Sequence, residues 1–164
     1  MIKPVNSLQR LIQRIAALRP VTQLLVRVAP RADRVFLRMT NNRYTLTSLV
    51  TGLPVIRLTT IGARSGEPRT VLLVVLEDGP KLILIASNFG QARHPAWYYN
   101  LQANPRAKVN LRGETGDYVA RAATAEERDH YWRTAVSLYA GYAAYKERAA
   151  NRQIPIFVLE PTGQ

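Results

Sequence analysis

The chain of 164 residues, 47% of them hydrophobic, is the size of one domain with a sizeable core. It has no cysteine, which excludes disulfides, thiolate metal sites and thiol nucleophiles, and its histidines, His94 and His130, stand outside any ligand-spaced set. The net charge is +12, and before residue 60 Lys3, Arg10, Arg14, Arg19, Arg27, Arg31, Arg34, Arg38, Arg43 and Arg57 face only Asp33.

Such a segment attracts nucleic acid, an anionic membrane surface or an anionic ligand through one and the same field. From Ser7, the spacing of Leu8, Leu11, Ile12, Ile15 and Leu18 predicts a helix, with Ser7 as its cap and Pro20 marking its end. A second helix is predicted over Val21 to Val28 and a third over Pro30 to Met39. These basic amphipathic helices suit either a membrane surface or a solvated face on a packed helix. LIQRIAALRP is broken by arginines and does not read as a signal peptide, and no stretch approaches the roughly eighteen apolar residues of a bilayer span. A cytoplasmic protein is expected, peripheral on the inner face of the membrane if these helices dock there.

Strands are predicted over Val55 to Thr60, Arg69 to Leu76 and Lys81 to Ser87, the last two joined by the turn Glu77-Asp78-Gly79-Pro80. Pro95 to Leu101 reads as a short helix ended by Asn104-Pro105. Two more strands, Ala107 to Leu111 and Asp117 to Ala123, precede a helix opened by Thr124-Ala125-Glu126-Glu127 as a capping box. That helix restarts near Gly141, and Ile154 to Leu159 supplies a sixth strand. Short antiparallel connections favour a small barrel over a parallel doubly wound sheet, and closure removes exposed strand edges. The expected architecture is a basic helical extension over 1–52 and a mainly β barrel with flanking helices over 53–164.

Three stretches carry candidate chemistry. TTIGARSGEPRTV offers Gly62 and Gly66 for backbone amides, with Arg64, Ser65 and Arg69 as donors for phosphate or carboxylate; an ordinary glycine turn with solvated arginines is the alternative. ASNFGQARHPAWYYN ends a strand in small polar groups and starts a helix whose N-terminus favours an anion. SLYAGYAAYKER spaces Tyr139, Tyr142 and Tyr145 three apart, so their phenols share one helix face, as core packing or as a lining.

Taken in order, TTIGARSGEPRTV, SNFG, RHPAWYYNLQANP, SLYAGYAAY and IPIFVLEP resemble the deazaflavin-dependent nitroreductase and quinone reductase family of flavin/deazaflavin oxidoreductases, over about residues 55 to 161. The resemblance implies a split β-barrel that binds coenzyme F-420 and passes a hydride to a quinone or nitroaromatic acceptor. It further implies that Arg64, Ser65, Gly66 and Arg69 hold the anionic tail, and that Thr70, Leu72, Val74, Ile85, Ala86, Ser87, Asn88, Ala96, Trp97, Asn100 and Tyr142 complete the cofactor site. Ser87, Tyr139, Tyr142 and Tyr145 would face the acceptor, with Tyr142 the first choice as hydrogen-bond donor. Ala63, Leu72, Val74 and Asn88 depart from the better-known pattern of the family. FMN on the same barrel is the nearest alternative, a non-catalytic cofactor or lipid carrier the next, and no nucleic-acid motif is present.

Overall fold

The computed structural model describes residues 7–40, 44–149 and 152–163. Lys3 and Arg43 of the basic segment lie outside them. Seven strands form one sheet in the order β2-β1-β5-β6-β7-β4-β3. They are β1 (Val55–Ile61), β2 (Pro68–Val74), β3 (Leu76–Asp78), β4 (Lys81–Ile85), β5 (Arg106–Leu111), β6 (Glu114–Ala122) and β7 (Ile156–Pro161), and every pairing is antiparallel. The outermost strands in that order, β2 and β3, are separated by Val75 alone. A sheet whose two ends are neighbours in the chain has to curl back on itself. The expected single strand from Arg69 to Leu76 is therefore two, because at Val75 the backbone leaves β1 and its N–H turns to the carbonyl of Pro54 at 3.0 Å.

Side-chain alternation sorts the apolar residues onto two sides of this sheet. Ile56, Leu58, Val75, Leu82, Leu84, Trp97, Leu101, Val109, Phe157 and Leu159 fill the inside of the barrel. Ile83, Ile85, Ile156 and Val158 point the other way, into a second core with Leu76, Tyr131, Ala135, Tyr142 and Tyr145. The unbroken apolar run of β4 follows from burial on both faces.

Helices α5 (Ala125–Leu138) and α6 (Gly141–Arg148) cover that second face. The expected capping box opens α5: the Thr124 hydroxyl accepts from the Glu127 amide, and the Glu127 carboxylate accepts from the Thr124 amide. Arg121 of β6 grips the same carboxylate through both nitrogens, at 2.6 and 2.7 Å, and also reaches Glu160 of β7. Its guanidinium and the Thr124 amide hold the Glu127 carboxyl well below the usual range, at about 2. The Tyr131 hydroxyl donates to Asp78 at 2.8 Å, so α5 is fixed to the sheet at its start and at its middle.

The N-terminal helices are α1 (Ser7–Ala16), α2 (Arg19–Met39) and α3 (Leu46–Thr51). In place of two helices expected between Val21 and Met39 there is one, which runs through Pro30; a proline removes only one backbone hydrogen bond from a helix of this length. Helix α3 has no counterpart among the expected elements, since Thr45 and Ser48 cap it in a stretch without helical periodicity. The layer is held by polar contacts: Gln13 donates to the Thr51 carbonyl at 2.7 Å, and the buried Asp33 accepts from the Thr47 amide and hydroxyl. Meanwhile Leu8, Leu11, Ile15, Leu18, Leu24, Val28, Val35 and Met39 face outward, as do Leu46, Leu49 and Val50 of α3. The apolar stripes of these helices are thus turned away from the domain.

Candidate active site

Helix α4 (Ala96–Ala103) is the point where two loops meet. The first is the β1–β2 loop, which closes on itself through Gly62 N–H to the Glu67 carbonyl at 2.9 Å and Gly66 N–H to the Gly62 carbonyl at 2.8 Å. Gly66 has φ 68°, in the left-handed region that glycine tolerates. Asn100 ties this loop to α4: its carbonyl oxygen accepts from the Ala63 amide and its amide donates to the Thr60 hydroxyl, both at 3.0 Å. Both ends of a side chain expected at the cofactor are therefore occupied in shaping the loop. Arg64, Ser65 and Arg69 are exposed, and among the described residues neither arginine pairs with a carboxylate; Arg69 donates weakly to the Ser65 hydroxyl at 3.3 Å.

The second loop leaves β4 at Ala86. Asn88, Phe89 and Gly90 all have positive φ, so the chain turns in a left-handed coil that presents Phe89 edge-on to Tyr145 at 5.8 Å. Gly90 lies against α6: a Cβ there would stand 2.8 Å from the Tyr145 carbonyl oxygen and 2.6 Å from the Arg148 Cβ. Gly90→Ala is expected to cost about 2–4 kcal/mol, from left-handed strain together with overpacking against backbone. Urea denaturation would check this; a loss below about 1 kcal/mol would mean that the loop and α6 separate freely.

Arg152, absent from the expected site, organises this loop. Its guanidinium donates to the carbonyls of Gln91 at 3.0 Å, Ala86 at 3.1 Å and Ser87 at 2.6 Å, and lies 2.9 Å from His94 Nδ1. Burial, and then the neighbouring guanidinium, push the His94 pKa down. The ring is stacked on Tyr98 at 4.3 Å. Asn88, through its amide, donates to the Arg93 carbonyl at 2.8 Å and closes the loop from within.

The three tyrosines do come together, although not on one helix. Tyr139 is the residue after α5, with extended backbone, and its ring lies over Gly141, where any Cβ would collide with it. The three ring centroids are 5.6, 6.0 and 6.1 Å apart, all edge to face. The Tyr139 and Tyr145 hydroxyls bond one another at 3.1 Å. Tyr142, 5% exposed, makes no hydrogen bond through its hydroxyl among the described residues. Burial pushes the pKa of all three phenols up. All three are protonated at neutral pH.

Strand β2 connects the basic loop to the tyrosines. Val71, Leu73 and Val75 point into the barrel, whereas Leu72 and Val74 belong to neither core and Leu76 belongs to the tyrosine cluster. Thr70, Leu72 and Val74 thus share the outward parity, and Arg69 just before them has the other. Beyond the break at Val75 the buried Leu76 carries the outward parity into the tyrosine cluster, about 20 Å from Thr70 at the rise of a strand. Of the other expected residues, Ile85 packs in the tyrosine cluster, Ala96 is exposed, and Ala86 and Trp97 are buried inside the barrel, where Trp97 meets Phe157 edge to face at 6.2 Å. Ser87 is buried beside them in sequence, its carbonyl held by Arg152.

The half-buried apolar side chains of Leu72 and Val74, with arginines that pair with no carboxylate among the described residues toward one end and protonated phenols toward the other, fit a planar ring that carries an anionic tail. A curled antiparallel sheet flanked in this way by helices is a split β-barrel of the FMN-binding type, which bears out the expected fold. The sequence profile of F420-H(2)-dependent quinone reductases matches residues 31–161, and the chain belongs to that family. An F420-H(2)-dependent quinone reductase of Mycobacterium tuberculosis is 33% identical over 109 residues, 65% of this chain and 72% of that protein. A solved F420-H2 dependent reductase is 40% identical with a TM-score of 0.60, covering 65% of this chain and 94% of its own. A solved structure described as a domain-swapped dimer is 33% identical with a TM-score of 0.62, covering 85% of this chain and 96% of its own. The protein is accordingly an oxidoreductase with coenzyme F-420 as cofactor and a quinone as acceptor, and FMN is not required.

Proposed function

We propose that the outward stripe of β2 is where ring and acceptor are held, with Arg64, Ser65, Gly66 and Arg69 on the anionic tail and Tyr142 on the acceptor. The observation that carries this reading is the shared outward parity of Thr70, Leu72 and Val74, which lead from arginines that pair with no carboxylate among the described residues to Leu76 in the tyrosine cluster. Reduced coenzyme F-420, when bound, supplies the hydride. The chain supplies the rest. Leu72 and Val74 offer an apolar floor that excludes water from one side of the reacting pair. Ile85, Ser87 and Asn88 border the ring side, and the backbone of Ala86 and Ser87 is fixed by Arg152. Trp97 and Asn100 act from behind, through the barrel core and the β1–β2 loop, with Ala96 at the exposed start of α4.

At the acceptor, hydride transfer leaves negative charge on oxygen. A protonated phenol within hydrogen-bond reach stabilises that charge and can pass its proton on. Tyr139 and Tyr145 share one hydrogen bond and with Tyr142 form a rigid edge-to-face cluster, in which Tyr142, whose hydroxyl makes no hydrogen bond among the described residues, is assigned as the donor.

The division at residue 52 separates this catalytic unit from a docking layer. The outward apolar stripes of α1 and α2, interleaved with the exposed Arg10, Arg14, Arg31, Arg34 and Arg38, suit an anionic membrane surface. A quinone dissolved in the membrane would then be within reach. The protein is expected to sediment with anionic vesicles and stay free of zwitterionic ones, and Leu11→Ser with Ile15→Ser to abolish the difference. Equal binding to both kinds of vesicle would remove the docking role.

The function is tested by titrating the protein with deazaflavin coenzyme, with FMN as control, and then supplying a quinone or a nitroaromatic to the reduced complex. Tight deazaflavin binding with turnover of the quinone is expected. Binding without turnover of any acceptor would leave a carrier.

A further inference from the structure

We propose that Arg152 is a positioning residue that locks the 86–94 loop and holds His94 as a neutral imidazole with its proton on Nε2. The proposal rests on the reading of that loop as the ring side of the cofactor site. A guanidinium has five donors and no acceptor. At 2.9 Å from its terminal nitrogen, His94 Nδ1 can therefore only be the acceptor, and the single ring proton must sit on Nε2. The same side chain spends three more donors on the Ala86, Ser87 and Gln91 carbonyls, and Tyr98 holds the imidazole from its face. Ring, guanidinium and loop thus have one mutual arrangement.

Two consequences follow for the chemistry. Nε2–H has no partner among the described residues and stands just before α4, as a fixed donor for an oxygen of the bound cofactor. Nδ1 is blocked, and a second proton there would set an imidazolium against a guanidinium. His94 is therefore a hydrogen-bond donor and not the proton carrier of the reaction, and that task stays with Tyr142.

Nitrogen-15 NMR of the imidazoles tests this directly, because the chain has only two histidines and His130→Asn leaves the His94 signals alone. The full-length protein is expected to show a lone-pair Nδ1 and a protonated Nε2. In Arg152→Met the ring should become a mixture of tautomers, and the dissociation constant for reduced deazaflavin coenzyme should rise about tenfold with a smaller change in kcat at saturation. Arg152→Lys, with one ammonium for four acceptors, should restore folding but not affinity. A protonated Nδ1 in the unmutated protein overturns the proposal, as does an unchanged dissociation constant in either variant. Should Arg152→Met fail to fold, the unmutated spectrum and the lysine variant still decide. If the unmutated protein binds no deazaflavin, the site reading fails; a wrong tautomer in a protein that does bind it is the failure of the Arg152 proposal alone.

Discussion

Tyr142→Phe is expected to lower kcat for quinone reduction about 10- to 100-fold while the dissociation constant of the deazaflavin coenzyme stays within about twofold, because a donor to developing charge contributes roughly 1.5–3 kcal/mol. The phenyl ring keeps its edge-to-face contacts with Trp132, Tyr139 and Tyr145, so the buried cluster loses no volume. Stability should hardly change, since the hydroxyl has no hydrogen bond to lose among the described residues. Tyr139→Phe or Tyr145→Phe breaks the hydroxyl pair and should act mainly on stability, by about 1 kcal/mol. The pH dependence has a definite sign. Burial raises the phenol pKa above its ordinary value near 10, so the donor form persists through the neutral range and rate is lost only on the alkaline side. Stopped-flow turnover of the variant beside a cofactor titration separates these effects. An unchanged kcat would take Tyr142 out of the chemistry.

Why the tyrosines were legible in the sequence, and Arg152 was not, comes down to what a side chain recognises. Residues three apart converge on one side of a helix, and the three phenols still meet after the helix breaks at Tyr139, because Gly141 leaves room for the Tyr139 ring to fold back. The capping box at Thr124 and the glycine turn at Gly62 to Gly66 are likewise local patterns whose meaning does not depend on the distant chain. The acceptors of Arg152 are backbone carbonyls of Ala86, Ser87 and Gln91, which every sequence possesses. No residue type marks a carbonyl that needs a partner. Asn100 shows the same limit from the other side. The family resemblance places it at the cofactor, while in the fold its side chain on α4 accepts from the Ala63 amide and donates to the Thr60 hydroxyl. The break at Val75 was hidden because the inward and outward alternation passes through it without a fault, Val71, Leu73 and Val75 in and Leu72, Val74 and Leu76 out. The outward apolar stripes of α1 and α2 had a visible period, but periodicity gives a face and not its direction.

Removing both Arg64 and Arg69 should weaken the deazaflavin coenzyme about 100-fold, as two charge-assisted hydrogen bonds of roughly 1.5 kcal/mol each are lost. Because both side chains are exposed, and neither pairs with a carboxylate among the described residues, Arg64→Ala with Arg69→Ala should fold as the parent does. The informative comparison uses a deazaflavin without phosphate or polyglutamate. Its affinity depends on the apolar stripe of Leu72 and Val74 and should be the same in parent and variant. The salt dependence should behave alike: full coenzyme binding weakens with ionic strength in the parent, and this slope flattens in the variant. Isothermal titration at several salt concentrations with the two ligands measures all of it. An equal loss for the tail-free ring would mean that the arginines act by shaping the β1–β2 loop. Loss confined to the full coenzyme would assign them to the tail and leave the ring to β2 and the 86–94 loop, which is the partition that lets one barrel hold a strongly anionic cofactor while the acceptor end stays apolar and dry.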